Sequence, residues 1–577
     1  MASSPKSRRR VVFTLALITI LFQVHQTVAQ NGRDRKDDAN ALRTWLALEA
    51  PPGWEHVATD QILRKMPQWR RDALGNLMLK QGSGSPRRVV ACGLDRPGFA
   101  VTEIRDDGFL RLREVGSARQ HPLWVQFHEG QRIKVLTRTV SVPGVLTVKS
   151  THLQRRTPNA PVTTLDDLWV DVGATTRTEV AQLGIEMLNP VVRDNAGWTF
   201  GEFVAGPMAG VRTGCAAIAT AASGRVESGE TIFLLTTLRS FGYDGLEAAL
   251  RMLGRVDQVT IVDQSETGAE SGGVVQRKLE KPAYLPQSTG LTTVDLLAVK
   301  TRYPGSLVET VQVADANALL AAVEQAAGLR PPGSQRWIAL PEITKSKPIQ
   351  ADAVSSTAEL LKSLADVAAV SGHERAVREA IIAKLPAWAR SAVKTDDQGN
   401  LILEVGPDRD AVMFIAHQDE VGFEITNIAT DGTVSLRARG GLYPSLWEGQ
   451  PAQINFDTPG SAPVRGVFQP RETATTKQLE ALTAWFGMDA AALKQLGVVN
   501  GMSVTAEKSA VRLGANRFTA RALDDRAGST ALILAIQRIN VATLRRRVIF
   551  AWSVREETGL EGAMAMAEHY GSSVKRV

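Results

Sequence analysis

Short apolar runs rich in β-forming residues recur along the chain, each bounded by polar turns. Val412–Ala416 and Val548–Val554 are two of them. Continuous apolar runs of this length suit strands buried on both faces of a parallel sheet. Ala527–Ile539 carries apolar residues on more than one face, as does a helix that covers such a sheet. From about Thr433 to Phe518 the pattern changes to short alternating segments punctuated by Gly and Pro, which predicts an inserted β-rich subdomain. The same change occurs over about Phe109–Trp198, so the pattern predicts an α/β unit with a β-rich insertion, present twice.

The sequence itself repeats in the same order. Cys92–Phe99 (CGLDRPGF) lies on Ala416–Phe423 (AHQDEVGF), with Asp95 on Asp419, Gly98 on Gly422 and Phe99 on Phe423, each 324 residues apart. Pro52–Glu55 lies on Ser371–Glu374, Met66–Trp69 on Leu385–Trp388 and Leu74–Leu77 on Gln398–Leu401. Further on, Glu129–Gln131 lies on Glu448–Gln450, Gln182–Gly184 on Gln495–Gly497, Arg212–Gly214 on Arg526–Gly528, and Ile232–Phe233 on Ile549–Phe550. The offset drifts between 324 and 313, as loop insertions produce. A Pro-rich polar stretch over 330–356 separates a first module (40–329) from a second (357–577) and has a linker composition.

At the N-terminus Lys6 and Arg8–Arg10 precede the apolar run Val11–Phe22 and the small-residue site Thr27-Val28-Ala29, so residues 1–29 read as a secretory signal. The run is short for a membrane span, so the mature protein is expected to keep no stable anchor and to be exported, periplasmic or extracellular. Cleavage removes four cations and no acids, lowering the formal charge from +7 to +3. The remaining basic residues are dispersed without interleaved aromatics, which argues against a nucleic-acid partner. Cys92 and Cys215 form no CxxC pattern, which argues against thiolate zinc. They are either a disulfide in an oxidising compartment or two small buried apolar residues.

Three clusters in the second module could carry chemistry. In His417-Gln418-Asp419-Glu420, residues 417 and 419 project to one side of a strand end, so a carboxylate could orient an imidazole that binds metal. The same HxD is equally at home as a surface pair. In Asp524-Asp525-Arg526-Ala527-Gly528 one Asp could bridge two cations, or the pair could be a helix N-cap and a surface acid. In Glu556-Glu557 one carboxylate could take a proton from water while its neighbour ligates metal, or both could simply face solvent.

Taken together, the motifs AHxDEVGF, ALDDRAG and EETGLEGA resemble those of the tetrahedral-aminopeptidase family of dinuclear metallopeptidases, which includes deblocking and glutamyl aminopeptidases. The resemblance implies two tandem three-layer αβα metallopeptidase-like modules, each with an inserted β-rich subdomain. It implies two divalent ions, Zn²⁺ or Co²⁺, and peptide substrates cleaved at the N-terminus. His417, Asp524 and Glu557 resemble metal ligands, Asp419 the orienting acid and Glu556 the general base. It also implies that the two modules pair with each other through their insertions, and it leaves homo-oligomers open. A non-catalytic peptide-binding protein and a related metallo-carboxypeptidase or deacylase are the alternative readings.

The first module has lost this set. Gly93 stands where His417 does, Gly210 for Asp524, Arg239 for Glu556 and Ser240 for Glu557, while Asp95 is kept. Asp263 resembles a further ligand, and Gly305 stands where the family has a late His. Their counterparts in the second module would fall beyond Val577, so the chain reads as part of a longer protein whose second site is incomplete and poorly active here. The first module is expected to be a pseudo-peptidase.

Overall fold

A computed structural model describes residues 35–116, 121–149, 160–194, 197–264, 273–330, 335–342, 352, 354–458 and 460–577. The proposed signal segment and parts of the linker lie outside these residues. Each module is an α/β sandwich. In the first, a seven-stranded sheet runs in the order Arg70–Arg71, Leu77–Ser83, Gly229–Thr236, Arg87–Gly93, Gln258–Val262, Thr293–Val299, Val274–Glu280. The four strands from Gly229–Thr236 to Thr293–Val299 are mutually parallel. One face packs on helices Ala209–Ala221 and Val313–Ala326, and the other on Asp244–Leu253. Strand Arg87–Gly93 is buried from Val89 onward, which accounts for its unbroken apolar run.

The second module repeats the plan. Its sheet has the order Lys394–Thr395, Leu401–Val405, Arg547–Ser553, Ala411–His417, Val574–Arg576. Leu523–Arg538 covers one face with Arg375–Lys384, and Glu561–Tyr570 covers the other. The register obeys the repeat: Gly93 pairs with Thr236, and His417 pairs with Ser553. The two sites therefore stand at equivalent strand ends.

Both insertions are closed six-stranded barrels, Gly98–Arg193 and Gly422–Ala506. They begin earlier than the expected boundaries at 109 and 433 and end before 198 and 518. The first barrel strand leaves the site motif after only a few residues and pairs at once with its neighbour, Gly98 opposite Val115 and Gly422 opposite Arg439. Residues that read as site motif are thus also barrel. The expected final segments instead form separate hairpins, Trp198–Ala205 and Val511–Thr519.

The barrels meet. Gln126 Nε2 donates to the Ser445 carbonyl at 3.2 Å, and Gln450 Nε2 to the Phe127 carbonyl at 2.5 Å. Positions 126 and 445 are 319 apart, the offset that relates Glu129 to Glu448. One pair of equivalent positions face to face is compatible with a two-fold pairing. Lys477 pairs with Glu129 at 3.3 Å, Arg517 with Asp171 at 2.8 Å, and the Arg302 guanidinium sits 4.1 Å over Trp485. Glycine is required at 449, where a Cβ would lie 2.8 Å from the Phe127 ring.

Cys92 and Cys215 form a disulfide with Cα atoms 5.4 Å apart, joining strand Arg87–Gly93 to helix Ala209–Ala221. The two alternatives for these cysteines thus resolve as a buried cross-link. Among the described residues no helix is long and apolar enough to cross a membrane.

Candidate metal centre

His417 ends strand Ala411–His417, and its Nε2 lies 3.0 Å from Asp524 Oδ1 and 3.9 Å from Glu556 Oε2. Its Nδ1 is 3.4 Å from Asp419 Oδ1. Asp419 is fully buried, and its two oxygens accept the backbone N–H groups of Glu556 at 3.0 Å and Glu557 at 3.1 Å. One carboxylate therefore ties the imidazole-bearing strand end to the loop carrying both glutamates. Burial pushes the Asp419 carboxyl up, and the bonds from His417, Ser371, Glu556 and Glu557 outweigh it, so the group stays below the usual range.

The helix Leu523–Arg538 is broken at its start, where Asp524 and Asp525 have non-helical backbone and their shared peptide bond is cis. Asp525 accepts the Gly528 N–H at 2.8 Å, the bond of an N-cap. A Cβ on Gly528 would lie 2.4 Å from that carboxylate, so a larger residue there would displace the capping side chain. Asp525 thus caps the helix, and Asp524, though exposed, turns toward His417. Arg526 is buried and donates to the carbonyls of Gln418 and Leu364, fixing the chain on either side of the site.

Charge in the cluster is one-sided. Burial lowers the His417 pKa, but Asp419, Asp524 and Glu556 outweigh it and raise the imidazole to about 9. Burial, then the neighbouring Asp419, Glu556 and Asp524 carboxylates, against the opposing charge of His417, push Glu557 up to about 7. An imidazole with crowded carboxylates and no Lys or Arg among them is a donor set suited in kind to divalent cations. Among the described residues, however, no group of three or more His, Cys, Asp or Glu side chains is arranged to hold a metal ion. The structure brings His417, Asp419, Asp524 and Glu556 together, with Glu557 next in the chain.

The first module keeps the framework without the ligands. Asp95 accepts the N–H groups of Arg239 at 2.6 Å and Ser240 at 2.8 Å, as Asp419 does for Glu556 and Glu557. The Arg239 side chain fills the place left by the missing imidazole, since a Cβ on Gly93 would lie 2.4–2.7 Å from its methylene carbons. Its Nε donates to Asp263 Oδ1 at 2.9 Å in a pair whose side chains are each 8% exposed. Glu309, which sequence reasoning missed, completes the cluster: it accepts the Gly210 N–H at 2.8 Å and the Gly305 N–H at 2.9 Å. These two glycines stand where Asp524 and the late His belong. One fixed guanidinium thus lies among the carboxylates of Asp95, Asp263 and Glu309. The only signal for Glu309 is a lone acid inside the apolar run Leu307–Val311.

Comparison with known proteins agrees with the duplication. The model of the M42 glutamyl aminopeptidase family matches residues 75–276 and again 399–574, together more than half of the chain. The chain belongs to the M42 glutamyl aminopeptidase family. The glutamyl aminopeptidase of Lactococcus lactis is 28% identical over 215 residues, covering 35% of this chain and 60% of that protein. The lysyl aminopeptidase of Pyrococcus furiosus is 28% identical over 148 residues, covering 24% of this chain and 41% of that protein. The chain thus spans about two fifths to three fifths of these M42-like relatives. Among solved structures, the TET1 peptidase of Pyrococcus horikoshii has a TM-score of 0.44 at 21% identity and covers 50% of this chain and 98% of its own. An aminopeptidase of Desulfurococcus kamchatkensis has a TM-score of 0.44 at 18% identity, covering 52% and 96%.

Proposed function

We propose that the second module is the catalytic half of an exported metal-dependent aminopeptidase and that the first is its non-catalytic partner. The observation that carries this reading is the Asp419 clamp. The same clamp exists twice, and only in the second module does it present an imidazole and carboxylates instead of a buried arginine. His417, Asp524 and Glu557 would hold divalent ions, Zn²⁺ or Co²⁺, which when bound supply Lewis acidity and lower the pKa of water. Asp419 fixes the imidazole and, through two N–H groups, the direction in which Glu556 and Glu557 leave the loop. Glu556 takes a proton from water at its carboxylate and delivers it to the amine nitrogen of the leaving peptide. Its half-exposed side chain and its 3.9 Å approach to His417 suit that exchange.

The contact between the equivalent positions Gln126 and Ser445, with the other bonds between the insertions, supports a dimer built within one chain, with the first module as the fixed partner of the second. Export is supported by the buried Cys92–Cys215 disulfide, since such bonds persist in oxidising compartments. With no ready three-ligand group among the described residues, the 577-residue chain is expected to hold metal weakly and to turn over slowly.

The test is release of amino acids from short peptides by zinc- or cobalt-supplemented protein. The proposal requires that free N-termini are cleaved, that N-acetylated peptides are not, and that Glu556→Gln abolishes release. Equal cleavage of acetylated peptides would favour a deacylase or carboxypeptidase, and binding without any cleavage a pseudo-peptidase.

A further inference from the structure

Arg439 ends the barrel strand Thr433–Arg439, directly beside the candidate metal centre. The next residue, Gly440, packs on the glutamate loop: a Cβ there would lie 3.1 Å from Glu557 Cβ. The Arg439 side chain lies along Ser371–Gly372, with Nε donating to the Ser371 carbonyl at 3.3 Å and Nη2 3.2 Å from where a Gly372 Cβ would stand. Ser371 in turn bonds Thr558 at 2.9 Å and the Asp419 carboxylate. The guanidinium is therefore part of the wall that adjoins Asp419 and Glu557.

This cation is incompletely paired. Its one acidic neighbour, Glu424, approaches Nε only to 3.7 Å, and Glu424 is already bonded to Arg437 at 2.5 Å. Neither terminal nitrogen of Arg439 has a hydrogen-bond acceptor among the described residues, and the side chain is 26% exposed. A planar fork with two free nitrogens, held by its Nε and partly shielded from water, is matched by one common peptide group, a carboxylate. The first module supplies an internal control. In the same register position, opposite Gly98 as Arg439 is opposite Gly422, it has Val115, and Ala100 stands for Glu424. The barrel strand thus needs no arginine to form, and the charge occurs only in the module that keeps the candidate chemistry.

We propose that Arg439 is a specificity-determining residue that anchors a carboxylate of the peptide substrate. The carboxylate comes from an acidic side chain near the scissile bond or from the C-terminus of a short peptide. This rests on the peptidase reading above. The test uses the full chain supplemented with zinc, in the Glu556→Gln background so that peptides persist, and measures affinity by calorimetry. Three pairs separate the sources: Glu-Ala-Ala against Gln-Ala-Ala, Ala-Glu-Ala against Ala-Gln-Ala, and Ala-Ala-Ala against its C-terminal amide. At least one pair should differ about ten-fold, as a charge-assisted bond implies. That ratio should fall to about one in Arg439→Met and survive in part in Arg439→Lys. Ratios within two-fold for all three pairs in the Arg439 protein would overturn the assignment, as would a ratio that survives Arg439→Met. Hydrolysis by the Glu556 protein without any carboxylate preference sinks this assignment alone. Failure to bind or cleave any peptide sinks the peptidase reading with it.

Discussion

The buried cation of the first module offers the sharpest test of the proposal that a guanidinium stands there in place of a metal centre. Arg239→Met keeps an unbranched stem over Gly93 and removes only the charge. It leaves Asp263, Asp95 and Glu309 without their shared counter-ion, all of them at most 6% exposed. At 2.9 Å the Arg239–Asp263 attraction is roughly 6 kcal/mol gross at an effective dielectric of about 20. Removing one member of a buried pair costs about 3–5 kcal/mol, because the other is stranded. For a domain of this size that corresponds to a fall in melting temperature on the order of 10 °C. Differential scanning calorimetry of the single variant and of Arg239→Met/Asp263→Leu measures it. The double variant should recover at least about 2 kcal/mol relative to additivity, since the stranded acid is gone. A single variant that melts within about 1 °C of the parent, or a double variant with no recovery, would refute the substitution of guanidinium for metal.

Other expectations follow from the same geometry. Burial raises the Glu309 carboxyl from 4.5 to about 6, so the folded state holds that proton more tightly; below pH 4.5 both states carry it and above 6 neither does. Stability should therefore fall as pH rises between these values, by about (6 − 4.5) × 1.36 ≈ 2 kcal/mol, and urea unfolding of Glu309→Gln should lack that slope. The Cys92–Cys215 bond spans 123 residues, for which chain entropy sets a ceiling of about 5 kcal/mol. Cys92→Ala/Cys215→Ala should accordingly melt lower than the parent, and reductant should reproduce this only once the buried bond is exposed by unfolding. Asp419→Asn should weaken metal binding about 10–100-fold, read by a chelator competition, because the two glutamate N–H groups bond different oxygens and the amide NH2 that replaces one of them cannot accept. The equivalent Asp95→Asn should lower stability and leave metal affinity alone.

Much of the architecture was legible because the chain contains its own comparison. Matching motifs pointed to two modules, as the two family matches do, and the strand register agrees with the repeat offset at Gly93 and His417. The barrel boundaries were not legible, since the site motifs run into the barrel strands at Gly98 and Gly422 within three residues of Asp95 and Asp419. The state of the cysteines stayed open because a separation of 123 residues carries no geometry. Glu309 was hidden for a different reason: its role depends on two glycine N–H groups, and backbone donors leave no mark in a sequence. Arg439 is similar, since what distinguishes it is the absence of acceptors around its terminal nitrogens among the described residues.

The central claim is that metal chemistry resides at His417 in the second module and that the first has replaced it. Cobalt(II) titration followed by visible absorption reads this directly. The account predicts a weak d–d signal in the parent that disappears in His417→Ala and is unchanged in Asp263→Leu. A signal that persists in His417→Ala, or that depends on Asp263, would contradict it.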